Sequence, residues 1–212
     1  MYSVKEIYYT LQGEGFHTGR PAVFLRFAGC NLWSGREKDR ETAICDFCDT
    51  DFVGTDGPGG GKFDTAEALA TAVAREWRRH APADGVPFTV LTGGEPLLQL
   101  DAPLITALHD RHFEIAIETN GTIRTPDDID WVCVSPKRGA DFVQRSGDEL
   151  KVVYPQPGMD MAAFEHLAFE HFFLQPMDGP NLVPNTELVV EYCETHPHWK
   201  VSIQTHKIFG LP

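Results

Sequence analysis

The sequence lacks any apolar run approaching the roughly 18 residues that would span a bilayer. Its start, MYSVKEIYYTLQGEG, has no basic-then-apolar leader pattern, so a cytoplasmic location is expected. Positive charge is also scarce: 18 Lys and Arg stand against 31 Asp and Glu, for a net charge of −13. Nucleic acids and anionic membranes are bound through clustered Lys and Arg, so neither is an expected partner. Any anionic substrate must be met by a few local basic residues. The five cysteines are an odd number, which rules out complete intrachain pairing and disfavours a secreted disulfide scaffold. A second CxxC is missing, and with it the usual zinc ribbon. The glycine-dense stretch GTDGPGGGKFD, 54 to 64, lacks the Lys-Ser/Thr ending of a nucleotide P-loop and reads as a flexible connection.

What remains is a chain of 212 residues, 42% hydrophobic and 23% charged, which is globular in composition and of a length for one domain over 1–212. Short apolar runs alternate with longer helical patterns, the mark of an α/β protein with a largely parallel sheet. Six strands are expected, AVFLRF (22 to 27), FTVLT (88 to 92), EIAIET (114 to 119), WVCVS (131 to 135), HFFLQ (171 to 175) and KVSIQ (200 to 204), with ELKVV (149 to 153) as a further candidate. A first helix is expected to start at an Asp64 cap with Glu67 three residues on, and to carry Leu69, Val73 and Trp77 to about His80. A second is expected over Pro96 to His112, a third over Pro184 to Thr195, and a short fourth in MDMAAFEHLAF.

The polar motifs follow the strand ends. Arg26 to Cys30 ends the first strand, TGGEP (92 to 96) the second, ETNG (118 to 121) the third, SPK (135 to 137) the fourth, QPMDG (175 to 179) the fifth and QTHK (204 to 207) the sixth. In a barrel or partial barrel of parallel strands these ends share one mouth, so separate segments can build one pocket. Arg26 stands out because it sits in an apolar strand, where a buried charge needs an anionic partner: a substrate carboxylate, or an acid such as Glu14.

Cys133 and Cys193 read as small buried residues. The other three, Cys30, Cys45 and Cys48, have fourteen residues in the first gap and two in the second. A structural zinc site takes four protein ligands, for which His17 is an available but unremarkable fourth. Three thiolates on a cubane iron–sulfur cluster leave one iron open to a small molecule.

These cysteines, ending in Cys-x-aromatic-Cys and followed by GGEP at a later strand end, resemble the radical S-adenosylmethionine (SAM) superfamily. The usual spacing there is Cys-x3-Cys-x2-Cys; one family has the expanded first gap. LQGEG (11 to 15), RFAGCN (26 to 31), CDT (48 to 50), TGGEP, ETNG, SPK, QPMDGP and QTHK together resemble the 7-carboxy-7-deazaguanine synthase family over nearly the whole chain.

The resemblance implies a truncated partial barrel of about six parallel strands and three main helices, smaller than the roughly 250-residue closed barrel, with an insertion at about 31–44 beside the cluster. It implies a lyase that converts 6-carboxy-5,6,7,8-tetrahydropterin to 7-carboxy-7-deazaguanine by radical ring contraction with loss of ammonia, in 7-deazapurine or queuosine biosynthesis. The implied cofactors are a [4Fe–4S] cluster on Cys30, Cys45 and Cys48, SAM on the open iron, and Mg²⁺ near Thr50, an oxygen donor suited to a hard cation. SAM would be held by Gly93, Gly94 and Glu95, whose glycines clear a path for backbone and whose carboxylate would meet the amino group, with Glu118, Asn120, Ser135, Lys137 and Gln175 around it. Gln12, Glu14, Arg26, Thr92, His206 and the terminal Pro212 match positions that contact the pterin. A flavodoxin-type reductant and a homodimer are implied as partners. The polar stretch SGREKDRETA, 34 to 43, reads first as a solvated face, with reductant docking a hypothesis from proximity alone.

Two other readings share parts of this pattern. A glycyl-radical activase would use the cysteines and GGE but not LQGEG and QTHK; release of 5′-deoxyadenosine only with a protein substrate would identify it. A zinc-binding module without catalysis would hold one zinc and no sulfide-bound iron.

Overall fold

A computed structural model describes residues 1 to 212. The strands are β1 (Tyr2–Leu11), β2 (Pro21–Phe27), β3 (Gly61–Phe63), β4 (Phe88–Gly93), β5 (Glu114–Thr119), β6 (Trp131–Val134), β7 (Ser146–Tyr154), β8 (Ala168–Pro176) and β9 (Trp199–Val201). The helices are α1 (Ala66–His80), α2 (Ala102–His109), α3 (Leu182–Thr195) and α4 (Thr205–Phe209). All nine strands join one sheet in the order β3-β1-β2-β4-β5-β6-β7-β8-β9. From β2 onward every pairing is parallel, while β1 and β3 add antiparallel at one edge. The sheet stays open, a partial barrel.

Alternation along the strands sorts two faces. Val23, Leu25 and Phe27 of β2, Leu91 of β4, Ile115 and Ile117 of β5, Val132 and Val134 of β6 and Leu150 and Val152 of β7 belong to the main core with α1, α2 and α3. The residues between them point the other way. Ala22, Phe24, Phe88, Val90 and Ala116 form a small inner cluster. Further toward the C-terminal ends the same face becomes polar: Arg26 pairs with Thr92 in register, Glu118 with Cys133, and Cys133 with Glu149. The period of two thus produces an apolar outer face for helices and a lined interior from the same strands.

Several expectations are corrected. The ELKVV candidate is the centre of β7, which makes seven parallel strands, and KVSIQ shortens to Trp199–Val201 before α4 begins. Tyr2–Leu11 form β1, which the sequence did not reveal as a strand. The cap of α1 is Thr65, whose hydroxyl accepts from the Ala68 N–H, rather than Asp64. The helix expected over 96 to 112 is broken into a 3-10 turn at Pro96–Leu98 and α2. Pro103 has no N–H and would clash with the carbonyl four residues earlier, so the helix restarts at Asp101, which accepts from the Leu104 N–H. The short fourth helix is a 3-10 turn at Met161–Phe164. The glycine run is no loose connection. Ile7 donates its N–H to Pro58 O at 2.7 Å, and a Cβ at Gly57, Gly59 or Gly60 would lie within 2.8 Å of a β1 carbonyl oxygen, Lys5 O or Ile7 O. This stretch runs against the edge of β1 and covers it.

Candidate active site

At the C-terminal ends of the parallel strands lies a cavity of about 390 Å³. Cys30, Cys45, Cys48 and Thr50 line it, as do Gly93, Gly94, Glu118, Asn120, Ser135, Lys137 and Gln175. Gln12, Glu14, Arg26, Thr92, His206 and Pro212 line it too. Of the site residues expected from sequence only Glu95 is absent from its wall.

Cys30 sits in the loop after β2, and the Cys45–Cys48 turn returns beside it. The Leu32 N–H donates to Cys30 Sγ at 3.4 Å. Proximity to Cys45, with the Thr50 N–H, holds Cys48 down at about 6, while proximity to Cys48 and burial push Cys45 up. Burial pushes Cys30 up, against its two amide donors. Amides aimed at sulfur stabilise thiolate over thiol, the form that ligates iron. Three thiolates are one protein ligand short of a structural zinc site and leave one iron of a cubane open, so the donor set fits the cluster.

Arg40, in the stretch expected to be a solvated face, braces this turn. Its Nη1 donates to the carbonyls of Asp46 at 2.7 Å and Cys48 at 3.1 Å, Nε and Nη2 pair with Glu37, and the guanidinium lies 4.1 Å from the Trp33 ring centroid. Arg40→Ala is expected to cost roughly 1–2 kcal/mol of loop stability and to release iron several-fold faster to a chelator under anaerobic conditions. Arg40→Lys keeps the charge without the fork and should restore little.

The GGEP turn is fitted to the Cys30 loop. The Glu95 N–H donates to Gly29 O at 3.0 Å. A Cβ at Gly93 would lie 2.5 Å from Phe27 O, and one at Gly94 2.2 Å from Gly29 O. The backbone that approaches so closely is the protein's own. Glu95 is fully buried, and its carboxylate accepts from Thr119 Oγ1, the Asn120 N–H and the Leu97 N–H. Burial pushes its pKa up and these donors oppose the shift. Glu95 thereby holds Asn120, which lines the cavity.

The cavity floor is a buried ionic network. Lys151, 4% exposed, donates to Glu14 at 2.7 Å and Glu118 at 3.2 Å. Gln12 Nε2 and Thr92 Oγ1 also donate to Glu118, and Gln204 Nε2 donates to Glu14. Burial would raise Glu14, but Lys151, with Gln204 and His206, holds it at about 2. Arg26 donates from Nε to Glu6 and from Nη2 to Tyr8 Oη, both at 2.8 Å. Its acid is thus Glu6, not Glu14, and Nη1 has no protein acceptor. Lys137 Nζ donates to Ser135 O and Oγ, and Gln175 Oε1 accepts from Ser202.

LQGEG is a plug across the open side of the barrel. Gly15 N–H donates to Ser202 Oγ, Phe16 N–H to Glu149, and Gly13 O accepts from Thr205 N–H. A Cβ at Gly15, which has φ 65°, would fall 1.9 Å from Glu149 Oε1, and one at Gly13 2.2 Å from His206 Nδ1. α4 follows, with Gly210 in the left-handed region turning Leu211 and Pro212 back. Lys207 joins Asp49 of the cluster loop at 2.5 Å to Asp178 after β8 at 2.6 Å, tying this strap across the mouth.

Sequence reasoning missed Lys5, Lys151 and Lys207 as cavity residues. Lys151 carried the same signal as Arg26, a cation inside an apolar strand. Lys5 pairs with Asp51 and Asp56, each at 2.8 Å, and had no local signal.

An open parallel barrel that brings three thiols and a GGE turn to one polar cavity is the arrangement of a radical SAM enzyme. Comparison with known proteins specifies it further. No family model matches the chain. It is 61% identical over 211 residues to the 7-carboxy-7-deazaguanine synthase of Bordetella pertussis, covering 100% of this chain and 99% of that protein. It is 42% identical to the enzyme of the same name from Bacteroides thetaiotaomicron, with the same coverage of both chains. The crystal structure of QueE from Escherichia coli superposes with a TM-score of 0.65 at 26% identity, covering 96% of this chain and 93% of that one. The chain belongs to the 7-carboxy-7-deazaguanine synthase family.

Proposed function

We propose that the protein converts 6-carboxy-5,6,7,8-tetrahydropterin to 7-carboxy-7-deazaguanine and ammonia. The observation that carries this reading is that Cys30, Cys45 and Cys48 open onto the same cavity as Gln12, Glu14, Arg26, Thr92 and His206. The atoms of the substrate are recovered in the two products, so the reaction has no net redox change. When bound on Cys30, Cys45 and Cys48, a [4Fe–4S] cluster with SAM supplies the one-electron chemistry that starts such a rearrangement.

The chain's own residues bind and orient. Arg26 Nη1 is available to the substrate carboxylate, and a guanidinium already fixed by Glu6 and Tyr8 loses little freedom on binding. Glu14 accepts from ring N–H groups; Glu118, expected beside SAM, shares Lys151 with Glu14 and is here assigned to the same ring edge, while Gln12, Thr92, His206 and the Pro212 carboxylate complete the substrate contacts. Gly93, Gly94, Glu95, Asn120, Ser135, Lys137 and Gln175 surround SAM, with Glu95 also bracing Asn120. Thr50 offers a hydroxyl to Mg²⁺, which keeps waters and takes substrate oxygens. Residues 1–212 act as one domain with the cluster-loop insertion at about 31–44, in a cytoplasmic homodimer reduced by a flavodoxin-type protein. No helix is long and apolar enough to cross a membrane.

The test is anaerobic incubation of reconstituted protein with SAM, dithionite, Mg²⁺ and the pterin, following product by mass. Product formation is expected, weakened in Thr50→Ala and partly recovered at higher Mg²⁺. SAM cleavage without product would keep the radical class and remove this substrate.

A further inference from the structure

Among the charged side chains of the cavity, Lys151 is the most deeply buried cation. It stands on the inner face of β7, with β6 between it and Glu118 on β5. The intervening inner residue of β6 is Cys133, in register with Glu118 on one side and Glu149 on the other. A small residue there leaves the space that the lysine amine crosses. From the plug, Glu14 reaches the same amine.

We propose that Lys151 is a positioning residue that keeps Glu14 ionised and ties it to Glu118 as one acceptor pair, so that the ligand edge above them must present N–H donors. The identity of that ligand as an aminopyrimidinone rests on the pterin reading above; the role of Lys151 in setting the pair does not.

The hydrogen-bond inventory supports the pair. An ionised carboxylate has about four acceptor positions. Glu14 receives donors from Lys151 and Gln204, and Glu118 from Lys151, Gln12 and Thr92. Both line the cavity with acceptor capacity left over. The other charged or titratable groups around them are Arg26 and Tyr8 from β2 and β1, Cys133 from β6, Glu149 from β7 and His206 from α4. Arg26 is committed to Glu6 and Tyr8. Glu149 is pushed up by burial, with Oε1 unpartnered, and adds no compensating positive charge. Lys151 is therefore the cation in hydrogen-bond contact with both acids. Two close carboxylates deprived of it would retain a shared proton, turning an acceptor into a donor that meets an N–H edge wrongly.

The sign of the pH effect follows. Glu14 is held low in the native protein and would rise without the amine, so binding would be lost at a higher pH as acid is added. The experiment compares wild type, Lys151→Met and Lys151→Arg. In Lys151→Met, kcat/KM for the pterin at neutral pH should fall about 100-fold, mostly through KM. The acid limb of its pH profile should move up by about one to two units. Lys151→Arg should recover part of both. Infrared difference spectra should show an additional protonated carboxyl in Lys151→Met at neutral pH.

A fall that is equal at every pH, with no new carboxyl band, would overturn the proposal. If wild type makes no product, the pterin reading fails, and the infrared band still decides what Lys151 does. If Lys151→Met does not fold, Lys151→Gln takes its place, and an unmoved acid limb with no new carboxyl band in that variant overturns the proposal.

Discussion

Cys45→Ala is expected to abolish turnover and most of the bound iron together, as are Cys30→Ala and Cys48→Ala. Each leaves two thiolates for a cluster that needs three, and the remaining side chains near the turn are poor substitutes: Asp49 is paired with Lys207, and Thr50 is a hard oxygen donor. Cys193→Ala is the control, since Cys193 lies on α3 and packs against the main core; it should keep both iron and activity. Iron and sulfide analysis after anaerobic reconstitution checks this directly. A protein that kept its iron after loss of Cys45 would have its cluster elsewhere.

Gly94→Ala is expected to be nearly as damaging although Gly94 is no iron ligand. The added methyl would meet Gly29 O at 2.2 Å and Cys30 Cβ at 2.7 Å. Neither can rotate aside, because one is backbone and the other is fixed to the backbone of the ligand itself. Relief requires parting β4 from the Cys30 loop and stretching the Glu95 N–H to Gly29 O bond. The cost should be of order 3 kcal/mol or more, at the upper end for overpacking. Thermal unfolding should move down and iron should be lost faster than from wild type. If Gly94→Ala keeps full iron and stability, the tight fit of the two loops is not what places Cys30.

The same contact shows why the site was only partly legible in the sequence. That the second glycine of GGEP excludes a side chain can be read from the motif; that the excluded volume belongs to Gly29 and Cys30 cannot, because they lie far away in the chain, in the loop after β2. The strands were legible where Val, Ile and Phe gather, as in EIAIET and FTVLT. β1 was not, since YSVKEIYYTL mixes lysine, glutamate and tyrosine, and its polar residues find partners far away: Lys5 at Asp51 and Asp56, Glu6 at Arg26. Glu95 was singled out through the GGE motif, while its three donors, Thr119, Asn120 and Leu97, were not legible because two of them come from the end of β5. Arg26 was recognised by its strand context and Lys151 was not, although ELKVV poses the same problem as FLRF. In both cases the local sequence announces a buried cation and the tertiary structure decides its acid.

The central claim is that three thiolates at this cavity hold a cluster with one iron open to SAM. Electron paramagnetic resonance of the anaerobically reconstituted, dithionite-reduced protein tests it, recorded with and without SAM and alongside iron analysis. The account predicts about four irons per chain, a [4Fe–4S]⁺ signal, and a change in that signal when SAM is added. A cluster signal that ignores saturating SAM, or a protein that binds one zinc and no sulfide-bound iron, would contradict it.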